Sequence, residues 1–327
     1  MKVAVVYNKH SPLPPPRLEA IGRQIMRIFD GATFIVCRGY GDGYLRGAEV
    51  AEIDQQTDHK AKIAAIADAL LQTGPSYLVS VGGDGLASYL GTYISGRPAM
   101  PTMVGIAAGT ANVGPIVTFT EEDLNTLDRT SLQEVSIDAI AVSDESGFHA
   151  LGFNDVILAN TFLGTEGGVC HNLSVEELLL RGNRVAAPVG KRITAKSFSV
   201  TVDGVLRPVN PAVPIAQIVI SPLQFDRLYG RAIFGRLCQG RGASPLAAVG
   251  LISHNVVDSD PRSWQPDDFT TIQHILCAPG EQVTFSGLGP DAHIVADGNP
   301  FIRVGAVTCS LVAGAIRALK IKGGDVP

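Results

Sequence analysis

"SVGGDGLASYL", residues 80–90, places three glycines within four residues, between an apolar run and a helical pattern. Residues 77–81 read as a strand, and residues 86–94 as a helix. Gly82, Gly83 and Gly85 therefore fall where the chain reverses. Glycine accepts a positive φ there and lets another molecule approach the backbone. The N–H groups that open the next helix form an anion site. Asp84 is out of place in such a loop, because a carboxylate repels phosphate. The plainer reading is a tight turn with Asp84 capping the helix. Leu86 follows the last glycine, where a hydroxyl would add a phosphate contact.

Outward from this loop, strands and helices alternate. Residues 2–7 (KVAVVY) read as a strand, and SPLPPPR reads as a break, since stacked prolines do not enter a helix interior. Residues 17–29 carry Leu18, Ile21, Ile25 and Ile28 at helical spacing. Residues 32–37 read as a second strand and 58–71 as a second helix, stopped by Gly74. A further strand falls near 102–107. This order predicts βαβ units and a parallel sheet. After about residue 135 the pattern changes to short β-rich runs such as SIDAIAV, NDVILAN, AQIVIS and QVTFSG. One short helix is expected over 175–180. The expected fold is thus α/β: a Rossmann-like parallel-sheet domain over 1–135, then a β-rich, sandwich-like domain over 136–305. An apolar segment, 306–327, packs back on the first domain.

Composition narrows the function. The chain has 327 residues, room for two domains of ~150. Hydrophobic residues make up 46% and charged residues 17%, which suits strands buried on both faces. A net charge of -5 gives no basic footprint for nucleic acid. Five cysteines without a CxxC pair give no disulfide framework. No run reaches the ~18 apolar residues of a membrane span, and the start reads as a strand, not a signal peptide. A cytoplasmic protein is expected; a homo-oligomer stays open.

Other local patterns carry chemistry. "MVGIAAGTANVGPI" (103–116) again ends a strand in glycine, hydroxyl and amide: Gly109, Thr110, Asn112 and Gly114. Two such loops at the ends of neighbouring parallel strands would share one crevice; ordinary turns are the alternative. "GFNDVILAN" (152–160) sets Asn154 and Asp155 before an apolar strand, where they would hydrogen-bond a ribose or base, or simply make a turn. "GYGDGYLRG" (39–47) misses the GxGxxG spacing and reads as a mobile loop. The seven histidines form no HxxxH or HxxH pair, so no metal site is expected from them.

The GGDG loop followed by GTAN resembles the superfamily of NAD kinases and diacylglycerol kinases. "VSVGGDGLASYL" is similar to their GGDGT loop. "GIAAGTANVGPIVTFTEEDL" stands where NAD kinases carry an N-x-G-x-L-G-F-L-T segment and an acidic helix, although its GTAN is closer to lipid kinases. "ALGFNDVILAN" resembles their Asn-Glu motif, with Asp155 for Glu. "VADGNPFIRVG" resembles the late DG turn of both branches.

The resemblance implies an ATP- and Mg²⁺-dependent kinase of NAD-kinase type acting on NAD or a nucleotide-like acceptor. A lipid kinase and a non-catalytic nucleotide-binding regulator are the alternatives. It implies Asp84 as the catalytic residue that activates the acceptor hydroxyl, beside phosphate neutralised by metal. Asn8, Gly82, Gly83, Gly85, Gly109, Thr110 and Asn112 would bind nucleotide phosphate, and Asn154 and Asp155 the acceptor. Asp297 and Asn299 mark a late-turn site. Three departures stand out. Leu86 replaces threonine, TPTGSTAY is absent with "ISPLQFDRLYG" (220–230) in its place, and Asn299 replaces the glutamate of the lipid-kinase DGE.

Overall fold

In a computed structural model of the protein, the structure describes residues 1–53, 59–110, 112–166, 169–188, 192–224, 247–255 and 270–323. β1 (Lys2–Tyr7) is buried at every position after Lys2. Such an uninterrupted apolar run suits a strand with elements on both faces. α1 (Pro15–Ile28) starts on two prolines. The first N–H groups of a helix have no intrahelical partner, so proline loses nothing there and its fixed φ is already helical. The proline cluster that reads as a break is therefore the helix entrance. The helix buries Leu18, Ile21, Ile25 and Ile28, the face expected from their spacing.

β2 (Thr33–Cys37), β3 (Glu49–Ala51), α2 (His59–Leu71), β4 (Tyr77–Gly82), α3 (Asp84–Ile94), β5 (Thr102–Ala107), β6 (Val117–Phe119) and α4 (Glu121–Thr126) follow. The strands pair in the order β3-β2-β1-β4-β5-β6, all parallel. Val5 lies between Val36 and Val79 in register. The alternate residues Val3, Val5 and Tyr7 join α1 and Leu124 of α4 in one apolar cluster. This is the doubly wound order, with its switch point between β1 and β4.

The loop at 39–47 is packed rather than loose. Tyr7 donates its N–H to the Tyr40 carbonyl at 2.9 Å, Leu45 is buried, and the Tyr7 and Tyr44 rings lie 5.0 Å apart. A side chain at Gly41 would strike the Tyr7 ring at 2.6 Å.

The remaining strands are β7 (Leu132–Asp144), β8 (Gly147–Gly152), β9 (Val156–Ala159), β10 (Thr161–Glu166) and β11 (Val169–Ser174). The seven-residue α5 (Val175–Arg181) comes next, capped by Ser174 and closed by Gly182 at φ 69. Then come β12 (Thr194–Val202), β13 (Val205–Arg207), β14 (Gln217–Pro222), β15 (Ala247–Ile252), β16 (Ile272–Cys277), β17 (Gln282–Leu288), β18 (His293–Ala296), β19 (Asn299–Arg303) and β20 (Ala306–Ile321). A six-stranded antiparallel sheet runs β16-β15-β14-β9-β18-β19. β14 and β15 are buried at all six positions. β10 and β11 form a hairpin, and β13-β12-β17 continue antiparallel into β20.

The chain divides into two compact units, Met1–Ile137 with Gly314–Pro327, and Asp138–Ala313. β20 belongs to both. Its residues Ala306–Ser310 pair with β17, whereas Ala318 pairs in parallel with Met103 of β5. Lys320 of the same strand is buried, and the loss of water pushes its ammonium down to about 8.

Candidate functional site

In a doubly wound sheet, ligands bind outside the carboxyl ends of the strands where the order reverses. Here that point lies past Tyr7 of β1 and Gly82 of β4. Asn8 donates its N–H to the Val81 carbonyl at 2.8 Å, which holds the two strand ends together. Its side-chain oxygen accepts the His10 N–H at 3.0 Å and shapes its own turn. A side chain at Gly82 would sit 3.1 Å from both Asn8 Cβ and Leu86 Cδ2. Leu86 is half-buried.

Gly83 is the N-cap of α3, and Asp84 and Gly85 are its first two residues. Asp84 is thus not the cap; the helix begins two residues before the expected Leu86. A carboxylate in the first turn meets the positive end of the helix dipole, worth about 0.3–1 kcal/mol. Its Oδ2 also accepts the Val113 N–H at 2.8 Å, from the second loop.

The two glycine loops touch. Ala108 donates to the Gly82 carbonyl at 3.0 Å, and Ser11 Oγ donates to the Ala108 carbonyl at 2.6 Å. A Cβ at Gly109 would lie 2.4 Å from the Gly83 backbone, and one at Gly114 would lie 2.9 Å from Asp84 Oδ1. Neither position has room for a side chain. Asn112 closes the loop on itself: its Oδ1 accepts the Gly109 N–H at 3.3 Å and its Nδ2 donates to the Gly109 carbonyl at 2.9 Å. Thr110 is exposed. Asn8, Gly82, Gly83, Asp84, Gly109 and Asn112 therefore converge within the first unit. Ser11 and the Val113 N–H join them without a signal in the sequence.

A second group forms in the other unit. Asn154 and Asp155 lie between β8 and β9 and are both buried. Asn154 Nδ2 donates to Asp155 Oδ2 at 2.9 Å, and Ser221 Oγ donates to the Asn154 carbonyl at 2.6 Å. Among the described residues nothing bonds Asn154 Oδ1, which is itself buried. Asp297 and Gly298 make a two-residue turn with φ 45 and 76 between β18 and β19, and Asn299 pairs with Ala296. Aspartate and glycine suit such a mirror-image turn. Asp297 reaches back to the Asn154–Asp155 segment, accepting the N–H groups of residues 153, 154 and 155.

Among the described residues no three His, Cys, Asp or Glu side chains are grouped to hold a metal ion. Residues 225–230 of the stretch expected to replace TPTGSTAY lie outside the described residues.

No protein-family model and no curated protein matches the chain. Solved structures do. A yeast NADH kinase, crystallised with NADH, superposes with a TM-score of 0.55 over 99% of this chain and 84% of its own, at 12% identity. A putative diacylglycerol kinase from Bacillus anthracis str. Sterne gives 0.54 over 97% and 96%, at 11% identity. Another diacylglycerol kinase structure from that organism gives 0.50 over 100% and 98%, at 10% identity. The chain has the NADH kinase and diacylglycerol kinase fold. At these identities the likeness is one of fold. Both branches named from the GGDG and GTAN loops appear among the structures that share this kinase fold.

Proposed function

We propose that the protein is an ATP-dependent phosphotransferase with an alcohol group as acceptor, of the NAD-kinase type. The observation that carries this reading is Asp84, set in the first turn of α3 at the switch point of the sheet and tied to the second glycine loop. Phosphoryl transfer needs positioning and charge neutralisation more than covalent chemistry. The backbone N–H groups that open α3 bind phosphate, while those of Ala108, Gly109 and Val113 hold the second loop in place beside them. Asp84 orients the acceptor hydroxyl and takes its proton as the oxygen bonds to the γ-phosphorus. The bond from that phosphorus to the β–γ bridging oxygen breaks, and ADP leaves. Mg²⁺ would neutralise phosphate charge. It would be brought in on the phosphates of the nucleotide.

The nucleotide-like acceptor is favoured by the Asn154–Asp155 pair, a buried amide and carboxylate with an unbonded amide oxygen among the described residues. Such groups suit a ribose or base. A lipid acceptor is the second reading. It is favoured by the exposed apolar Leu179 and Leu180 of α5 and Val185 just beyond it. Exposed apolar side chains suit a lipid.

The test is incubation of the pure protein with ATP, Mg²⁺ and either NAD or diacylglycerol. NADP as product is the expected result. Phosphorylated lipid without NADP moves the function to the second reading. ATP binding with neither product makes the protein a nucleotide-binding regulator instead.

A further inference from the structure

We infer that Asp297 is a positioning residue for the acceptor site, acting through the backbone that carries Asn154 and Asp155; this rests on reading that pair as the acceptor-binding pair. A two-residue mirror-image turn needs only residues tolerant of positive φ. It does not need a carboxylate directed at a segment more than 140 residues earlier. Yet both carboxylate oxygens of Asp297 are engaged there. Oδ2 accepts the Phe153 N–H at 2.8 Å, and Oδ1 accepts the N–H groups of Asn154 at 2.8 Å and Asp155 at 3.0 Å. In return, the Asp297 N–H donates to the Asp155 carbonyl at 3.1 Å.

The sheet sets this up. β18 pairs antiparallel with β9, and Ala296 faces Val156. One residue further, the register sets Asp297 opposite Asp155, where the regular ladder ends. The carboxylate then replaces the missing strand partners of three successive amides. Hydrogen bonds to an ionised acceptor are about twice as strong as neutral ones, so the turn of 153–155 is fixed before any ligand arrives. Ser221 Oγ holds the Asn154 carbonyl from β14. A site held this way loses little freedom on binding, which is how preorganisation raises affinity.

Asp297→Asn separates this role from the turn. Asparagine tolerates positive φ, and its oxygen still serves two amides. Its Nδ2 would meet the Phe153 N–H, donor against donor. Asp297→Gly keeps the turn and removes the whole clamp. NAD affinity of the full chain is measured by calorimetry, with ATP affinity and Tm alongside. The expected result is NAD binding weakened ~10-fold in Asp297→Asn and ~100-fold in Asp297→Gly. ATP affinity should stay at the wild-type level in both. In steady state, the loss should fall on KM for NAD more than on kcat. Wild-type NAD affinity in both variants, with only Tm lowered, would make Asp297 a turn residue and overturn the inference while leaving the acceptor pair intact. A wild-type protein that does not bind NAD overturns the acceptor reading, and the positioning role with it.

Discussion

The Oδ2 of Asp84 accepts the backbone N–H of Val113 at 2.8 Å, joining the first residue of α3 to the second glycine loop. The charge that looks misplaced among the glycines thus has two physical reasons besides the proposed chemistry. It lies at the positive end of a helix, and it holds a neighbouring loop in position.

Asp84→Asn keeps an oxygen for Val113 and removes the basicity. Turnover should fall at least ~100-fold, the low end for a lost general base, with Tm nearly unchanged. Asp84→Ala should lose turnover equally and also about 1.5–3 kcal/mol of stability, the scale of a hydrogen bond to a charged group. A coupled ADP-release assay and thermal melts separate the two effects. Full turnover in Asp84→Asn would reduce Asp84 to a strut.

Gly109→Ala tests the contact between the loops. The new methyl would lie 2.4 Å from the Gly83 backbone, so one loop must move. Overpacking of this kind costs about 1–3 kcal/mol. ATP should no longer raise the melting temperature, as bound ligands normally do. A wild-type ATP shift in Gly109→Ala would take phosphate binding away from this crossing.

Leu86→Thr puts a hydroxyl where the resembling loop carries threonine. Leu86 is only half-buried, so the loss should stay near 1 kcal/mol, below the 1.5–3 kcal/mol of a fully buried leucine. Phosphoryl transfer should rise. A drop in both stability and transfer would make Leu86 a packing residue.

Lys320 gives a pH signature. Its folded value, about 8, lies below its ordinary value of 10.5 because burial disfavours the charged form. Between those two values the unfolded chain holds more protons, so this group makes stability rise with pH across that window. At pH 7 the lysine is charged in both states and its burial is unfavourable. Lys320→Met should therefore stabilise the protein at pH 7 by up to ~3 kcal/mol. The gain should shrink as pH rises from 8 towards 10.5. Denaturant titrations at pH 7 and pH 10 measure it; an equal gain at both would assign the effect to packing.

The parallel half of the fold is legible because its signals are local. Leu18, Ile21, Ile25 and Ile28 mark a helix face within one segment, and three glycines mark the end of β4. Two local signals read differently in place. Pro15 and Pro16 start α1, since a first turn needs no N–H, and Asp84 lies inside the helix rather than capping it. Asn112 and Asn8 read as nucleotide contacts, and the structure adds that their amide oxygens shape their own loops. The sequence marks Asp297 as a late-turn residue, but its bonds to 153–155, like the contacts of Ser221 and Val113, were out of reach for another reason. Each depends on strands or loops distant in sequence, and no spacing encodes that 297 meets 153–155.

The return of the chain at Gly314 has a consequence for biosynthesis. The first unit is encoded in two pieces, and the strand stretch that covers β5 at Met103 is translated only after the whole of Asp138–Ala313. Emerging from the ribosome, residues 1–137 hold a sheet whose β5 margin is guarded by β6 alone. An uncovered margin invites pairing with a neighbouring chain. A nascent protein stalled before residue 314 would be the species that chaperones engage, and a gene fragment ending at 137 would express as an aggregate, not as an isolated nucleotide-binding domain.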